Sequence, residues 1–473
     1  MRPENFGLKI GIEIHQQLEM HKLFCKCPSL VNDPNPADVF FERKLHISSG
    51  EMGTMDAAAM YEIKKGKTFY YEGCSGSSCL IEADDEPPHN ANIDALKTAL
   101  EIALLVNAKP VDVVQFMRKI VLDGSNTSGF QRTALIASNG FIETSKGRVG
   151  ILSICLEEEA AKKINENEKS VNYRLDRLGV PLIEIATDAS IKDPEHAKET
   201  ASILGMILRS SGKVKRGLGT IRQDINLSIK GNPRVEIKGF QDMRSIPKII
   251  EYEISRQEEL LKKGEMLKAE VRKAEPNLTT SFQRPMPSAS RMYPETDIVT
   301  IPITNELLKE IKLPELLTNK AIKLEKEFAI SPQLALEIAE DETYFRLLVE
   351  RFKNILPSLI AISIVEVPKE IKTRFSYNAS NKEIEELLGF LDKERATKEA
   401  MMKILEDRAK GKFVNIEDYK PADENIIVKS IEKIIKDNKN LSANAIMGIV
   451  MAKYRGKIEG KKVMEMIKSS LNS

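Results

Sequence analysis

Long apolar segments are missing from this sequence of 473 residues. A membrane-spanning helix needs about 18 or more consecutive apolar residues, so we expect no contact with a membrane interior. The first nine residues carry Pro3, Glu4 and Asn5 where a secretory signal has an apolar segment, which predicts a cytoplasmic protein. The length exceeds that of one ordinary core and predicts two or three domains.

Several motifs of nucleotide and hydrolytic enzymes are also missing. The patterns GxxxxGK[ST], GxGxxG and HExxH do not occur, so a nucleotide site must be of another kind. There is no GxSxG elbow, and the five histidines suggest no pairing with a Ser, Thr or Cys nucleophile. The sequence therefore offers no evident machinery for hydrolysing an amide.

Charge is balanced overall but not at the end of the chain. The 71 basic and 70 acidic residues give no global sign of a nucleic-acid partner. From Leu441 to Ser473, however, six residues are basic and two are acidic. Such a segment contacts phosphates or forms a solvated helix face, and both interpretations stay open. The basic residues are Lys453, Arg455, Lys457, Lys461, Lys462 and Lys468.

Hydrophobic periodicity changes along the chain. In the first 300 residues, segments such as Lys9–His15 and Arg222–Ile229 alternate apolar and polar residues, which is typical of antiparallel strands with one polar face. Asp193 followed by Pro194 predicts the start of a helix that covers the sheet. Beyond Pro302 the pattern is helical. We predict an α+β fold with domains at residues 1–300, 301–410 and 411–473.

Charged and imidazole side chains interrupt several of the apolar strands. Glu13 and His15 point to one side of the first strand, a later strand ends in Glu157, Glu158 and Glu159, and Glu184 stands alone in another. Buried carboxylates need a cation, so one His and two or three Glu from separate strands predict a divalent-metal site. A structural ion pair is the alternative, and its candidate partners are Arg174, Arg177 and Lys238.

Four of the five cysteines form two close pairs, Cys25 with Cys27 and Cys74 with Cys79. Four thiolates suit tetrahedral zinc, whereas unligated thiols are the alternative interpretation. Cys155 stands alone in an apolar strand and is expected to be packed.

A loop rich in small polar residues, Asp123–Arg132, follows directly on Arg118, Lys119 and a short apolar stretch. A loop of this kind either wraps a phosphate or a nucleotide end, or is only a turn. The candidate contacts within it are Ser125, Asn126 and Ser128.

Several ordered motifs resemble one family. KIGIEIHQQL, MRKIVLDGSNTSGFQRT, LEEEAAK, RLGVPLIEIATDA, VEIKGFQDMRSIPKII and RPMPSASRMYPETDI are similar to the tRNA-dependent amidotransferase family of B and E subunits, GatB and GatE. The match covers roughly the first 300 residues, and AIMGIVMAKYRGKIEGKKV resembles the family's tail domain. The motifs SGFQRT and PMPSASRMYPETD are closer to the E type. E subunits usually carry an inserted domain where this chain runs uninterrupted from Val271 to Asp297, which leaves open how tRNA is selected.

The resemblance implies a cradle domain that binds ATP, magnesium and the aminoacyl end of tRNA, then a helical domain and a small tail domain. It places the magnesium ligands on His15, Glu157 and Glu184, with Glu13 and Glu158 adjacent, and supports zinc on the four paired cysteines. The implied chemistry is phosphorylation of the glutamate side chain of Glu-tRNA(Gln), followed by attack of ammonia. Candidates for stabilising the phosphate charge are Arg118, Lys119, Arg222 and Lys238.

The same resemblance implies a partner that supplies ammonia. For the E type this is an asparaginase-like subunit, GatD. Two alternatives remain: a B-type subunit that acts on Glu- and Asp-tRNA with GatA and GatC, and a tRNA-binding assembly subunit without catalysis of its own.

Overall fold

The computed structural model describes residues 7–30, 35–46, 57–240, 242–286, 292–393, 395–437, 442–454, 457–458 and 460–471. The chain divides into two compact units, Met1–Glu315 and Leu316–Ser473. All described strands belong to the first unit, and the described elements of the second are helical. The predicted α+β class is confirmed.

The first unit contains both strands and helices, and the described elements that follow it are helices. The strands are β1 Lys9–Gln17, β2 Val39–Arg43, β3 Thr68–Gly73, β4 Lys109–Pro110, β5 Val113–Val114, β6 Phe116–Ile120, β7 Phe130–Thr144, β8 Gly147–Glu158, β9 Lys162–Glu166, β10 Ser170–Arg174, β11 Pro181–Thr187, β12 Ile221–Ser228, β13 Val235–Lys238, β14 Glu270–Ala274, β15 Thr280–Pro285, β16 Met292–Pro294 and β17 Ile301–Pro302. The helices are α1 Ala57–Ile63, α2 Leu80–Ala83, α3 Ile93–Leu105, α4 Pro194–Ser210, α5 Ile246–Lys262, α6 Asn305–Glu310, α7 Leu317–Phe328, α8 Pro332–Ile338, α9 Glu342–Arg351, α10 Pro357–Phe375, α11 Asn381–Asp392, α12 Lys398–Ala409, α13 Glu424–Asp437, α14 Ala443–Tyr454 and α15 Gly460–Leu471.

The largest sheet has eleven strands in the order β15-β14-β13-β12-β1-β11-β8-β7-β6-β16, with β4 beside β7. β1 lies near the middle, antiparallel to β11 on one side and to β12 on the other. The predicted antiparallel sheet is therefore present, and the parallel pairing of β13 with β14 is its exception.

The two faces of β1 differ as its alternation predicts. Ile10, Ile12 and Ile14 are at most 1% exposed and lie on the face against which α4 packs. That helix begins where the sequence predicts, because the Asp193 side chain accepts a hydrogen bond from the backbone N–H of His196 at 2.9 Å. The other face carries Glu13 and His15.

A smaller sheet, in the order β2-β3-β10-β9, has its own aromatic core. Tyr71 and Tyr173 are each 2% exposed. Their hydroxyls donate hydrogen bonds to the backbone oxygens of Gly124 and Asp123, at 2.7 and 2.8 Å. This sheet therefore fixes the start of the polar loop at residues 123–132.

In the second unit, α13, α14 and α15 share an apolar cluster that includes Ile431, Val450 and Val463. The predicted helical run from Asn444 to Lys453 is α14. Arg455 and Gly456, part of the predicted phosphate-binding segment, lie outside the described residues. No helix in the described part of the chain is long and apolar enough to span a membrane.

Candidate active site and metal centres

Seven neighbouring strands, from β13 to β6, place polar side chains on one face of the large sheet. The register sets Glu184 of β11 opposite His15, and Asp224 of β12 opposite Glu13. Since alternate residues of a strand share a face, these side chains converge. They form the carboxylate cluster, whose members are Glu13, His15, Lys119, Gln131, Glu157, Glu184, Asp224, Asn226, Glu236 and Lys238.

His15 lies at the centre of this cluster and is 8% exposed. Its Nε2 is 3.1 Å from Glu184 Oε2, and its Nδ1 is 3.9 Å from Asp224 Oδ2. Burial lowers the pKa of His15, but the hydrogen bond to Glu184 and the negative charges of Glu184 and Asp224 together raise it above its ordinary value. Burial likewise raises the pKa of Glu184, and His15 and Lys119 more than offset this, so that it falls below its ordinary value.

Two lysines compensate part of the negative charge. Lys119 Nζ lies 2.6 Å from Glu157 Oε1, and Lys238 Nζ lies 2.6 Å from both Asp224 Oδ2 and Glu236 Oε1. Burial lowers the pKa of Lys238, but the two carboxylates beside it hold that pKa above its usual range. Both lysines, predicted as phosphate contacts, therefore lie among the carboxylates.

The predicted magnesium ligands come together in the structure. One potential ligand atom from each of His15, Glu157 and Glu184 lies within 4.8 Å of the others, and Glu13, His15 and Asp224 form a second such group. His15 Nδ1 is buried and has no hydrogen-bond partner among the described residues. A buried imidazole nitrogen without a partner, surrounded by carboxylates, fits a divalent cation. That these residues hold magnesium stays a prediction.

Two predicted residues lie on the opposite face of the sheet. Glu158 alternates with Glu157, and its Oε1 accepts a hydrogen bond from the backbone N–H of Arg132 at 2.9 Å. Arg118 is paired with Glu295, which is 1% exposed and also binds Arg132 Nε at 2.8 Å. The structure therefore brings neither Glu158 nor Arg118 to the carboxylate cluster.

Arg222 occupies the rim of the cluster. It pairs across the strands with His15, its guanidinium contacts Glu159 Oε1 at 3.0 Å, and its side chain is 46% exposed. Burial raises the pKa of Glu159, but Arg222 and Arg177 bring it below the ordinary value. Arg222 is thus a half-exposed cation beside the buried cluster.

The loop with Ser125, Asn126 and Ser128 is closed by its own hydrogen bonds. Ser125 Oγ donates to Asp123 Oδ1 at 2.6 Å, and Ser128 Oγ donates to the backbone oxygen of Phe130 at 3.0 Å. Asn126 is 2% exposed. A nucleotide contact by these three residues stays a prediction.

Three of the four paired cysteines gather with a carboxylate. Potential ligand atoms of Cys25, Cys27, Cys79 and Glu82 lie within 4.8 Å of one another, and these residues form the cysteine cluster. Cys74, the fourth predicted zinc ligand, is buried but is not in this group. The pattern of cysteines alone could not indicate Glu82, which enters because α2 begins directly after Cys79.

Burial suppresses ionisation of two of these thiols, Cys25 and Cys79. It raises the pKa of Cys79 to about 11, with a further contribution from Glu82, and it raises the pKa of Cys25 in the same way. Lys22 Nζ, fully buried, lies 3.6 Å from Glu82 Oε1. Three thiols and one carboxylate are a donor set that suits zinc, since a divalent cation would favour the thiolates.

Asp224, Asn226 and Glu236 belong to the carboxylate cluster but were not among the predicted site residues. Asp224 and Asn226 do lie on the polar face of the predicted strand Arg222–Ile229, which was a usable signal. What the sequence does not specify is that this strand pairs with β1, so their proximity to Glu13 and His15 could not be derived.

Comparison with known proteins places this geometry in a family. Residues 8–309 match the family model described as the GatB/GatE catalytic domain. The chain belongs to the GatB/GatE family. The matched segment contains both the carboxylate cluster and the cysteine cluster.

Archaeal E subunits are similar to this GatB/GatE family member over almost their full length. The chain is 36% identical to the glutamyl-tRNA(Gln) amidotransferase E subunit of Methanocaldococcus jannaschii, with 99% of each chain covered. The identities to the corresponding E subunits of Methanosarcina acetivorans and Archaeoglobus fulgidus are 35% and 34%, with 99% of this chain and 98% and 99% of those chains covered. The first alignment spans 624 positions although this chain has 473 residues. The relative therefore contains stretches without a counterpart here, in keeping with the predicted lack of an inserted domain.

Proposed function

We propose that this chain is the subunit of a cytoplasmic glutamyl-tRNA(Gln) amidotransferase that activates and amidates the glutamate esterified to tRNA. The observation that carries the proposal is the buried carboxylate cluster, which lies within the catalytic domain of the family. The similarity to archaeal E subunits supports the substrate.

The reaction needs activation because a carboxylate is a poor electrophile at neutral pH. A side-chain oxygen of the tRNA-bound glutamate attacks the terminal phosphorus of ATP, and ADP leaves. Ammonia then attacks the acyl phosphate and displaces phosphate, which leaves the amide of glutamine. Such a reaction depends mainly on positioning and on neutralising phosphate charge.

The cluster by itself would repel both reactants, since ATP and the substrate carboxylate are anions. His15, Glu157 and Glu184 are the residues that would hold Mg²⁺, which supplies charge neutralisation on the phosphates when bound. Lys119 and Lys238 keep the carboxylates oriented through contacts of 2.6 Å. Arg222, half exposed at the rim, is the side chain best placed to meet an incoming anion.

Zinc is proposed for the cysteine cluster in a structural role. Cys25, Cys27 and Cys79 are buried or half-buried, and no substrate-sized opening is needed for a closed tetrahedral site. The fourth ligand is Glu82 by the geometry of the structure and Cys74 by the sequence pattern.

We propose that ammonia comes from an asparaginase-like partner subunit, since the sequence contains no evident nucleophile for amide hydrolysis. The decisive experiment incubates the isolated chain with ATP, Mg²⁺ and Glu-tRNA(Gln). Ammonium chloride should yield Gln-tRNA(Gln), whereas free asparagine or glutamine should yield none until the partner is added.

Three outcomes would contradict this proposal. Amidation from glutamine by the isolated chain would refute the need for a partner. Binding of Glu-tRNA(Gln) without any ammonium-dependent amidation would identify a non-catalytic assembly subunit instead. Copurification with an amidase-like A subunit, rather than an asparaginase-like one, would indicate the B-type enzyme.

A further inference from the structure

A cavity of 490 Å³ lies in the first unit, between the large sheet, α4 and the loop that joins α4 to β12. Its volume falls within the range of about 300 to 1,000 Å³ that is typical of small-molecule sites. Gln223 of β12 lines the cavity and pairs with Ile14 of β1, whose side chain lies on the face that α4 covers. Arg222 and Asp224, its neighbours along the strand, point to the other face. The sheet therefore separates the cavity from the carboxylate cluster.

Gln223 is a buried polar side chain in the wall of this cavity. It is 8% exposed, and its amide makes no hydrogen bond to another described residue. Gln16, which also lines the cavity, donates from Nε2 to the backbone oxygens of Lys215 and Thr220 at 3.0 and 3.1 Å, and so holds both ends of the loop. A buried amide without a partner is costly. Gln223 can therefore offer both a donor and an acceptor to a ligand.

The tip of the same loop presents apolar surface at the cavity. Leu218 is 94% exposed and lies between Gly217 and Gly219, whose φ angles of +109° and +81° favour glycine. Thr220 Oγ1 donates to the backbone oxygen of Gly217 at 2.8 Å, which fixes this turn. Met243, 39% exposed, lines the cavity as well. Leu218 and Met243 thus offer two surfaces on which a planar ring can pack.

A glycine inside α4 keeps the cavity open. Gly205 lies in the middle of this helix and lines the cavity. Glycine within a helix is destabilising relative to alanine. Among the described residues, an added Cβ at this position would meet only Ile221 Cδ1, at 4.0 Å, which is an ordinary contact. Packing therefore does not require glycine here, whereas access to the cavity benefits from it.

The charges around the cavity are mainly positive. The charged residues that line it are Arg209, Lys215, Arg216 and Asp242. Asp242 Oδ2 is paired with Arg244 Nε at 2.6 Å, and the two lining arginines are exposed. A nucleotide matches this combination, because it has an anionic phosphate, a planar ring and a polar base edge. Among the bases, adenine presents N6 and N7 in the pattern that a glutamine amide can contact twice.

We propose that this cavity, which we call the adenine pocket, binds an adenine nucleotide at a site separate from that of phosphoryl transfer. The base packs on Leu218 and Met243, its edge bonds to Gln223, and the phosphate meets Arg209 and Arg216. The same chemistry is offered by a free nucleotide and by an unpaired adenosine of RNA. The pocket does not depend on the proposed function, since the sheet lies between it and the carboxylate cluster.

The experiment is calorimetric titration of the full-length chain with AMP, without Mg²⁺. The wild-type chain should bind one AMP, and bind it more tightly than GMP or CMP. Gly205→Leu should lose this binding, because the larger side chain extends into the pocket. Leucine is the better helix former, so thermal unfolding of the variant should not occur at a lower temperature. The matched control, Gly205→Ala, should bind AMP nearly as the wild-type chain does.

Two further variants locate the base and exclude the other face of the sheet. Gln223→Glu keeps the shape of the side chain but removes the amide donor, so AMP binding should weaken by about 10-fold and the preference over GMP should shrink. Glu184→Gln should bind AMP as the wild-type chain does. Gly205→Leu should keep its ammonium-dependent amidation at saturating ATP.

Competition with an RNA hairpin that ends in an unpaired 3′ adenosine identifies the source of the ligand. Displacement of AMP would assign the pocket to RNA, and no displacement would assign it to a free nucleotide; the adenine pocket stands in both cases. No binding of AMP, or equal affinities in the wild-type chain and Gly205→Leu, would overturn the pocket without affecting amidation. Loss of AMP binding in Glu184→Gln would place AMP at the carboxylate cluster and would overturn the separate site.

Discussion

The carboxylate cluster and the cysteine cluster are built in different ways. The first collects side chains from seven strands, over a span from Glu13 to Lys238, and lysines already compensate part of its charge. The second collects Cys25, Cys27 and Cys79 from loops and a helix start, and burial keeps two of these thiols from ionising.

Because of this difference, the loss of a bound ion should have different effects at the two clusters. Hydrogen bonds between strands hold the carboxylate cluster in place whether or not a cation is present. Losing a ligand there should therefore lower the rate of amidation rather than the stability of the fold. The residues of the cysteine cluster lie outside the strands, so losing a ligand there should lower the free energy of unfolding. Variants at the two clusters test this contrast.

Glu184→Gln should have the largest effect on catalysis. It keeps the shape of the side chain but removes the charge that pairs with His15 and that would hold a cation in the proposed site, so amidation should fall by about 100-fold or more. The affinity for tRNA and the free energy of unfolding should change little. Steady-state amidation and thermal unfolding measure both.

The matched control for Glu184→Gln is Glu143→Gln, on β7 of the same sheet, where the side chain is 63% exposed and pairs with Arg148. It should keep wild-type turnover. If Glu184→Gln also does so, the cluster is a structural ion-pair network and not a catalytic centre.

Cys25→Ser should act on stability instead. Loss of a zinc ligand should lower the free energy of unfolding of the first unit by about 3 to 5 kcal/mol, because metal binding contributes directly to folding. Turnover per folded, zinc-loaded molecule should change less than in Glu184→Gln. Denaturant unfolding measures the free energy of unfolding, elemental analysis measures bound zinc, and the amidation assay measures turnover. A purified wild-type chain without zinc, together with a Cys25→Ser variant as stable as the wild type, would exclude the zinc site.

The fourth zinc ligand is open to a paired test. The geometry predicts that Glu82→Gln loses zinc, and the sequence pattern predicts that Cys74→Ser does so. Glu82 also contacts Lys22 at 3.6 Å and accepts from the backbone N–H of Cys79 at 2.7 Å, so its variant needs elemental analysis rather than stability alone. Zinc retained in one variant and lost in the other identifies the ligand.

Much of the cluster around His15 could be predicted because alternation within a strand is a local property. Glu13, His15, Glu157 and Glu184 interrupt apolar runs, and that interruption is visible in the sequence. Alternation also predicts that Glu157 and Glu158 lie on opposite faces of the sheet. Which of the two joins the cluster depends on which face α4 covers, and that packing is not a local property of the sequence.

Contacts set by strand pairing could not be predicted. Lys119 reaches Glu157 because β6, β7 and β8 are neighbours, and Lys238 reaches Asp224 because β13 lies beside β12. A residue such as Glu295, which directly follows β16 and pairs with Arg118, is distant in the chain and carries no periodic signal. These long-range pairings decided which basic residues lie in the cluster.

The basic tail should contribute more modestly, through tRNA phosphates. In α15, Lys461 and Lys462 are exposed while Val463 and Ile467 are buried, so charge reversal at the two lysines should leave the helix packed. Removing one phosphate contact should reduce the slope of log affinity against log salt by a little under one. Lys461→Glu with Lys462→Glu should therefore weaken tRNA binding about 10-fold at low salt and flatten the slope.

The control for a general effect of charge is Lys353→Glu, a charge reversal at one exposed lysine of the same unit. It should change neither the affinity nor the slope by a comparable amount. Equal salt slopes for the wild-type chain and the double variant would assign the tail to a solvated helix face.

The smallest effect is expected at an exposed ion pair, which sets the scale for the two buried clusters. Glu166 contacts Lys67 and Lys163 at 2.7 Å, its side chain is 40% exposed, and the hydrogen bonds from these lysines lower its pKa to about 2.

Because a depressed carboxyl pKa stabilises the fold only while the group is ionised, the contribution of Glu166 to stability is fully present above the unfolded-state pKa of about 4.3 and is lost as the pH falls toward 2. Solvent screening limits it to less than about 1 kcal/mol. Chemical denaturation should therefore show Glu166→Gln slightly less stable than the wild-type chain at pH 7, with a smaller difference at pH 3 that approaches zero only below the folded-state pKa of about 2. A constant difference at both pH values would mean that Glu166 stabilises β9 through packing rather than through its charge.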